Sequence, residues 1–386
     1  MAIAADRFVD QLAELGVHCV AGVPDSVLQA LGIALARDGS PVRHRVACNE
    51  GAAVGMAIGH HLATGEVPAV YMQNSGLGNA VNPLVSIAAA DVYAIPMLLL
   101  VGWRGEIDVA GSQVVDEPQH ALQGKVTRGQ LDLLAIRHEV VGADVDDVRP
   151  VLQRLLRHAI DRREPVALVF RRNAFSAGAE LPARARAASR AMTREHAIEA
   201  CLRAIPRGTV TVTTTGMAAR ELFALRDKRG ESHDFDFLVV GAMGHASHIA
   251  LGIAGSRQGC AVVCLDGDGA ALMHLGALPT CARAPGLVHV VLNNDAHESV
   301  GGQHTCVPGL RFAKLARACG YAKVFTVRSA QALEAIVADA VDGTGNCFIE
   351  VICRVGHRAD LGRPTVRPGV AKEQFMRALR GESGDH

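Results

Sequence analysis

The sequence predicts an α/β protein built from two doubly wound parallel-sheet domains. Three observations lead there. Strand-length apolar runs are continuous rather than alternating, as expected of parallel strands covered on both faces. Stretches of helical length separate them, the rhythm of βαβ units. Composition changes once, near the middle of the chain, so that two such units lie in series.

In chain order, Phe8, Leu12 and Leu15 recur at helical spacing among Asp6, Arg7, Asp10 and Glu14, predicting an amphipathic helix and not a secretion signal. Apolar runs at 19–23, 68–72, 97–101 and 166–170 predict strands, with helices at 25–37 and 50–64 between them. From Ser176 to Arg190 the chain is rich in Gly, Ala and Arg and has no clean apolar period, which reads as an exposed linker. A new helix is expected near Thr193, then strands at 209–213, 238–240, 261–265, 287–292 and 348–351. The expected organisation is a first domain at 1–175, a linker at 176–192 and a second domain at 193–386.

At 386 residues the chain is long enough for two substantial cores. Nearly half of it is apolar but only 4% is aromatic, so those cores are layers of Ala, Val and Leu. The formal charge is zero, which argues against a nucleic-acid or membrane-surface partner. None of the ten cysteines forms a Cys-x-x-Cys pair, so free thiols in a reducing cytoplasm are expected, and no structural zinc. No apolar run is long enough to span a bilayer.

The chemistry is concentrated in Gly267-Asp268-Gly269 and Asn293-Asn294, each just past a predicted strand. Ligands of parallel sheets sit outside the carboxyl ends of the strands, so Asp268 and Asn294 would face one crevice. One carboxylate and one amide oxygen suit a hard cation whose other ligands are water and diphosphate oxygens. Gly267 and Gly269 let the backbone approach that anion closely. The plain alternative is a turn Asp and an Asn pair capping a helix; the spacing of the two runs favours the ligand reading.

That pairing is a magnesium and thiamine-diphosphate signature, and this half of the chain resembles the diphosphate domain of thiamine-dependent enzymes. The likeness extends through Gly22-Val23-Pro24-Asp25-Ser26, Gln73 to Asn79, Gly102 to Glu106, Asp116 to His120 and Asn293 to Gln303. These runs resemble the thiamine-diphosphate-dependent decarboxylases, and among them the phosphonopyruvate decarboxylases, with the sulfopyruvate decarboxylases as near relatives. The resemblance implies the thiamine-diphosphate-binding fold, with a pyrimidine domain, a diphosphate domain and no middle domain. It implies thiamine diphosphate and Mg2+ as cofactors and a small 2-oxo acid as substrate. It also implies a homodimer or higher homo-oligomer, with the active site at the subunit interface.

The same resemblance distributes roles. Glu50, opening a helix of small residues, would sit beside the aminopyrimidine ring; alone it would read as an ordinary first-turn Glu. Asp268, Asn294 and Ala296 would hold the metal. Thr215, Gly216, Met243, His245, Gly267, Gly269, Ala270 and Asn293 would line the cofactor, Met243 wedged between its rings. Arg104 offers a planar fork for phosphonate or carboxylate, and Asp25, Ser26 and Gln119 are further substrate contacts, the first two also reading as a helix cap. His120 and His297 are the candidate catalytic donors. Two positions depart from the pattern: Met217-Ala218 stands where Lys-Thr is usual, and Asp295 where Gly is common. The reaction implied is non-oxidative decarboxylation of 3-phosphonopyruvate, with sulfopyruvate decarboxylation, carboligation and non-catalytic thiamine binding as alternatives.

Overall fold

A computed structural model of the chain describes residues 2–145, 147–176, 192–257, 259–343 and 345–381. These fall into two compact units, one drawn from Met1–Ala185 with Ser299–Cys306, the other from Arg186–Glu298 with Val307–His386. The expected linker at 176–192 lies, apart from its two end residues, outside the described residues.

The first unit carries a six-stranded, all-parallel sheet: β1 (Cys19–Gly22), β2 (Arg43–Val46), β3 (Ala69–Gln73), β4 (Met97–Gly102), β5 (Arg137–Val141) and β6 (Pro165–Phe170), in the order β2-β1-β3-β4-β6-β5. Its interior strands β1, β4 and β6 are buried at every position, as the continuous apolar runs require. One face packs on Phe8, Leu12, Leu31, Leu152 and Leu155, the other on Val54, Ala57, Leu77 and Leu131. Phe8 meets the rings of Phe170 and Phe175 edge-on at 5.6 and 5.5 Å.

The second unit repeats the plan with β7 (Val210–Thr213), β8 (Asp236–Leu238), β9 (Val262–Gly267) and β10 (Leu287–Asn293). After two short strands, β11 (Ala296–His297) and β12 (Gln303–His304), come β13 (Lys323–Val327) and β14 (Cys347–Ile352). Its six-stranded sheet runs β13-β14-β10-β9-β7-β8, every pair parallel. Two strand positions differ from expectation. The predicted strand at 238–240 is centred two residues earlier, at β8, because Val240 is exposed while Asp236 is buried. Strand β9 runs through Gly267, so Asp268 opens a helix (Asp268–Met273) directly.

Both sheets have a point at which the strand order reverses, between β1 and β3 in the first and between β7 and β9 in the second. Crevices at such points are where ligands of open α/β sheets bind. The loops that follow these strands carry Asp25 and Ser26 in the first unit and Thr215, Gly216, Asp268, Gly269 and Ala270 in the second, and most of the other candidates lie at or beyond the ends of β2, β4, β8 and β10.

Candidate active site

In the first unit, β2 leads into the helix Glu50–Thr64, whose N-cap Asn49 accepts the Ala52 N–H at 2.8 Å. Glu50 is therefore fixed in the first turn and is buried. Its Oε2 accepts from Asn79 Nδ2 at 2.7 Å. Gly76 lies against the same carboxylate so closely that a Cβ there would fall 2.5 Å from Oε1. Asn74 ties this turn to the loop after β4, donating to the Arg104 carbonyl and Thr127 Oγ1 at 3.0 and 2.8 Å and accepting the Arg104 N–H at 3.1 Å.

Asp25, Ser26 and Arg104 come together beside the β1 and β4 termini. Asp25 Oδ2 accepts the Val27 and Leu28 N–H groups at 3.0 and 3.1 Å, which fixes the turn after β1; the helix expected at 25–37 runs only over Gln29–Leu35 and has no side-chain cap, so Asp25 is not its cap. Its Oδ1 is buried without a hydrogen bond, and burial pushes the carboxyl up to about 6. The fork of Arg104, expected for substrate, is already engaged. Nε and Nη2 clasp Asp116 at 2.8 and 2.6 Å, and Nη1 donates to Ser26 Oγ at 3.0 Å. Asp116 also accepts two main-chain N–H groups, and the arginine helps hold its carboxyl well below the usual range. Gln119 is turned to Glu117, and His120 is buried in the first turn of the helix Pro118–Leu133.

In the second unit, the loops after β7 and β9 flank the reversal point. Thr214 Oγ1 is buried without a partner, and Gly216, at φ +90°, caps the helix Met217–Lys228 in a conformation that favours glycine. Asp268 is buried; Oδ1 accepts the Gly269 N–H at 2.8 Å, while Oδ2 has no partner. Burial pushes this carboxyl up to about 7, with the N–H groups of Gly269, Asp295 and Asn294 acting in the other direction. The Gly-Asp-Gly turn and the Asn pair are therefore neighbours. Asn294 Oδ1 accepts the Ala296 N–H at 3.1 Å, and Asn293 Nδ2 donates to the buried Glu350 at 3.1 Å. Asp295 has φ +56°, which explains why glycine suits this position; its carboxylate receives the Gly309 N–H at 2.9 Å.

His297 packs on Gly269, where a Cβ would lie 2.8 Å from the ring, and burial holds its imidazole down at about 4. Met243 is half-buried, and Gly244, at φ +89°, lies against Met273 and His274. His245 Nδ1 lies 3.2 and 3.3 Å from the carbonyls of Ala242 and Met243, so it donates there, and Nε2 can donate to an anion only from the imidazolium. Sequence reasoning missed Asn79, Asp116 and Glu350 as supports. Glu350 had a signal, an acid inside the apolar run of β14, where it accepts from Asn293, Phe312, Ala313 and Thr326. Asp266 joins His289 at 3.4 Å and His289 joins Tyr321 at 3.1 Å, a buried polar chain with the Cys264 sulfur within 4.8 Å of both Asp266 and His289.

The unpartnered oxygens of Asp268 and Thr214, on either side of the reversal point, are donors suited to a cation and a diphosphate respectively. Residues 3–133 match the N-terminal TPP binding domain of thiamine pyrophosphate enzymes, and residues 212–351 match the C-terminal TPP binding domain. The chain belongs to the thiamine pyrophosphate enzymes, within the phosphonopyruvate decarboxylase group. It is 36% identical to the phosphonopyruvate decarboxylase of Streptomyces viridochromogenes, over 97% of this chain and 94% of that one. The Streptomyces hygroscopicus phosphonopyruvate decarboxylase is also 36% identical, over 97% of this chain and 93% of its own. The sulfopyruvate decarboxylase of Methanosarcina acetivorans is 27% identical, over 84% of this chain and 85% of its own. The chain is thus a thiamine-dependent decarboxylase, a carboxy-lyase.

Proposed function

We propose that the chain decarboxylates 3-phosphonopyruvate to phosphonoacetaldehyde and carbon dioxide, using thiamine diphosphate and Mg2+. One observation carries the reading furthest: buried Asp268 presents an oxygen without a protein partner beside the Asn293-Asn294 turn. The near full-length likeness to two phosphonopyruvate decarboxylases supports the substrate, and the more distant sulfopyruvate decarboxylase makes sulfopyruvate the second candidate.

Asp268, the Asn294 side chain and the Ala296 carbonyl would hold the metal. Thr215, Gly216, His245, Gly267, Gly269, Ala270 and Asn293 would hold the diphosphate, and Met243 would support the rings. Bound there, thiamine diphosphate supplies the electron sink for the pair released when carbon dioxide leaves. Glu50 holds a proton against the aminopyrimidine ring, its orientation set by Asn79. Asp25, Ser26, Arg104 and Gln119 orient the two anionic ends of the substrate, Arg104 through the Nη1 edge it shares with Ser26. His120 and His297 serve as hydrogen-bond donors to the substrate carboxylate or the developing oxyanion. Lowered to about 4, His297 is neutral at physiological pH and acts as a hydrogen-bonding group rather than a charge.

Assembly as a homodimer or larger homo-oligomer completes the site from two copies. Leu62, Tyr93, Leu122 and Leu133 are large apolar side chains exposed on the first unit, as a subunit interface needs. A fully active monomer in sedimentation would contradict this. Ten free cysteines fit a reducing cytoplasm; among the described residues no helix is long and apolar enough to cross a membrane. The aldehyde product suits phosphonate biosynthesis. Replacing Glu50 by Gln keeps the shape and the Asn79 contact but removes the charge. We expect kcat to fall by about 100-fold to 10,000-fold with the fold intact by circular dichroism. Near-normal turnover would remove Glu50 from its role.

A further inference from the structure

Glu298 makes an unusual set of contacts for a residue of a surface turn. Its Oε2 accepts Asn294 Nδ2 at 3.1 Å and Arg194 Nη1 at 2.8 Å. Its Oε1 accepts the Gly356 N–H at 2.9 Å and His357 Nδ1 at 2.8 Å. A carboxylate offers about four lone-pair sites, so this one is fully used. Arg194 is itself buried and clamped from the other side by Glu221, which is fully buried, at 2.7 and 2.8 Å. The carboxylate is thus held on three sides by the protein, and its fourth partner is the Asn294 amide.

We propose that Glu298 is a positioning residue that sets the orientation of the Asn294 amide for the metal, with Arg194 and Glu221 as its buried anchor. The inference rests on the reading of Asp268 and Asn294 as metal ligands. An amide has a donor end and an acceptor end of nearly equal size, and its orientation follows from the partners around it. An ionised carboxylate accepts only, so Glu298 draws Nδ2 to itself and leaves Oδ1 on the other side. There Oδ1 meets the Ala296 N–H and keeps a second lone pair for a cation. A neutral amide at position 298 could donate as well as accept, and the orientation of Asn294 would no longer be fixed. The residues of this device come from four separate segments of the second unit, Arg194, Glu221, Asn294 to Glu298 and Gly356-His357, so no local sequence pattern announces it.

The test is Mn2+ binding, followed by electron paramagnetic resonance with thiamine diphosphate present, for the full-length protein and its Glu298→Gln and Asp268→Asn variants. Outer contacts of metal ligands are worth about 10-fold to 100-fold in affinity, so Glu298→Gln should weaken Mn2+ by that factor. Its kcat should return to near the parent value once Mg2+ is saturating, a separation that a general structural lesion would not produce. Parent-like Mn2+ affinity in Glu298→Gln, with binding lost in Asp268→Asn, overturns the role of Glu298 and leaves the metal site standing. Parent-like affinity in Asp268→Asn overturns the metal site itself, and the inference with it. If Glu298→Gln does not fold, the crystal structure of the unaltered holoenzyme decides. Asn294 Oδ1 on the cation with Nδ2 still on Glu298 is expected. Nδ2 turned away from Glu298 overturns the inference, and a cation without Asn294 overturns the site.

Discussion

Asp25 keeps one carboxylate oxygen buried and unpaired, although an Asn could make the same two turn bonds through its carbonyl. Burial raises its carboxyl from 3.8 to about 6, so across that window the folded chain binds more protons than the unfolded one. Stability contributed at this position is therefore greatest below the window and falls as pH rises through it. Asp25→Asn should raise the melting temperature at pH 7.5, by up to about 3 kcal/mol of stability, and the advantage should fade toward pH 4. Parallel melting profiles for the two proteins would contradict this. The same variant should lose activity, because a charge kept at a cost in stability points to use. Residues of this kind differ in how legible they are. The neighbourhood of Asp268 and Asn294 could be read because each follows a strand-like run at a telling spacing. Arg104 could not be read fully, since its partner Asp116 lies across a loop and no spacing rule pairs them. Asp295 marked itself as a departure, but only its backbone angle and its bond to Gly309 explain how a side chain is accommodated there.

At the scale of elements, the turn from β3 into the helix Leu77–Pro83 does more than connect. Gly76 leaves the space that the Glu50 carboxylate occupies, with Oε1, Cγ and Cδ all within 2.7 Å of where a Cβ would stand. Gly76→Ala must therefore displace Glu50 or the turn, costing about 1–3 kcal/mol in stability. We expect kcat to fall at least tenfold through the loss of the Asn79 contact, about what a 1.4 kcal/mol misplacement gives. A variant with parent-like kcat would show that Glu50 tolerates movement. Fully buried strands were legible as apolar runs, and the helix expected at 50–64 is present as Glu50–Thr64, its ends fixed by the Asn49 cap and the left-handed Gly65. Strands β2, β5 and β13 were not. They are edge strands with half-exposed Arg43-His44-Arg45, Arg137-His138-Glu139 and Lys323, whose polarity reads as loop until the neighbouring strand is known.

At the scale of the whole molecule, two similar parallel sheets each reverse strand order beside their first strand, and the loops of each unit carry one half of the proposed chemistry: an acid and substrate contacts in the first unit, metal and diphosphate contacts in the second. The doubly wound class of both was legible because central strands dominate the apolar pattern. The return of Ser299–Cys306 to the first unit was not, since the chain gives no compositional sign of it. A formal charge of zero leaves recognition of a multiply charged substrate to a few local groups, so substrate choice is where the account is most exposed. The most direct measurement is release of carbon dioxide and aldehyde from phosphonopyruvate and from sulfopyruvate, side by side, with thiamine diphosphate and Mg2+ supplied. A large preference for phosphonopyruvate, with phosphonoacetaldehyde as product, is the predicted result. Preference for sulfopyruvate, or release of carbon dioxide from neither, would contradict it.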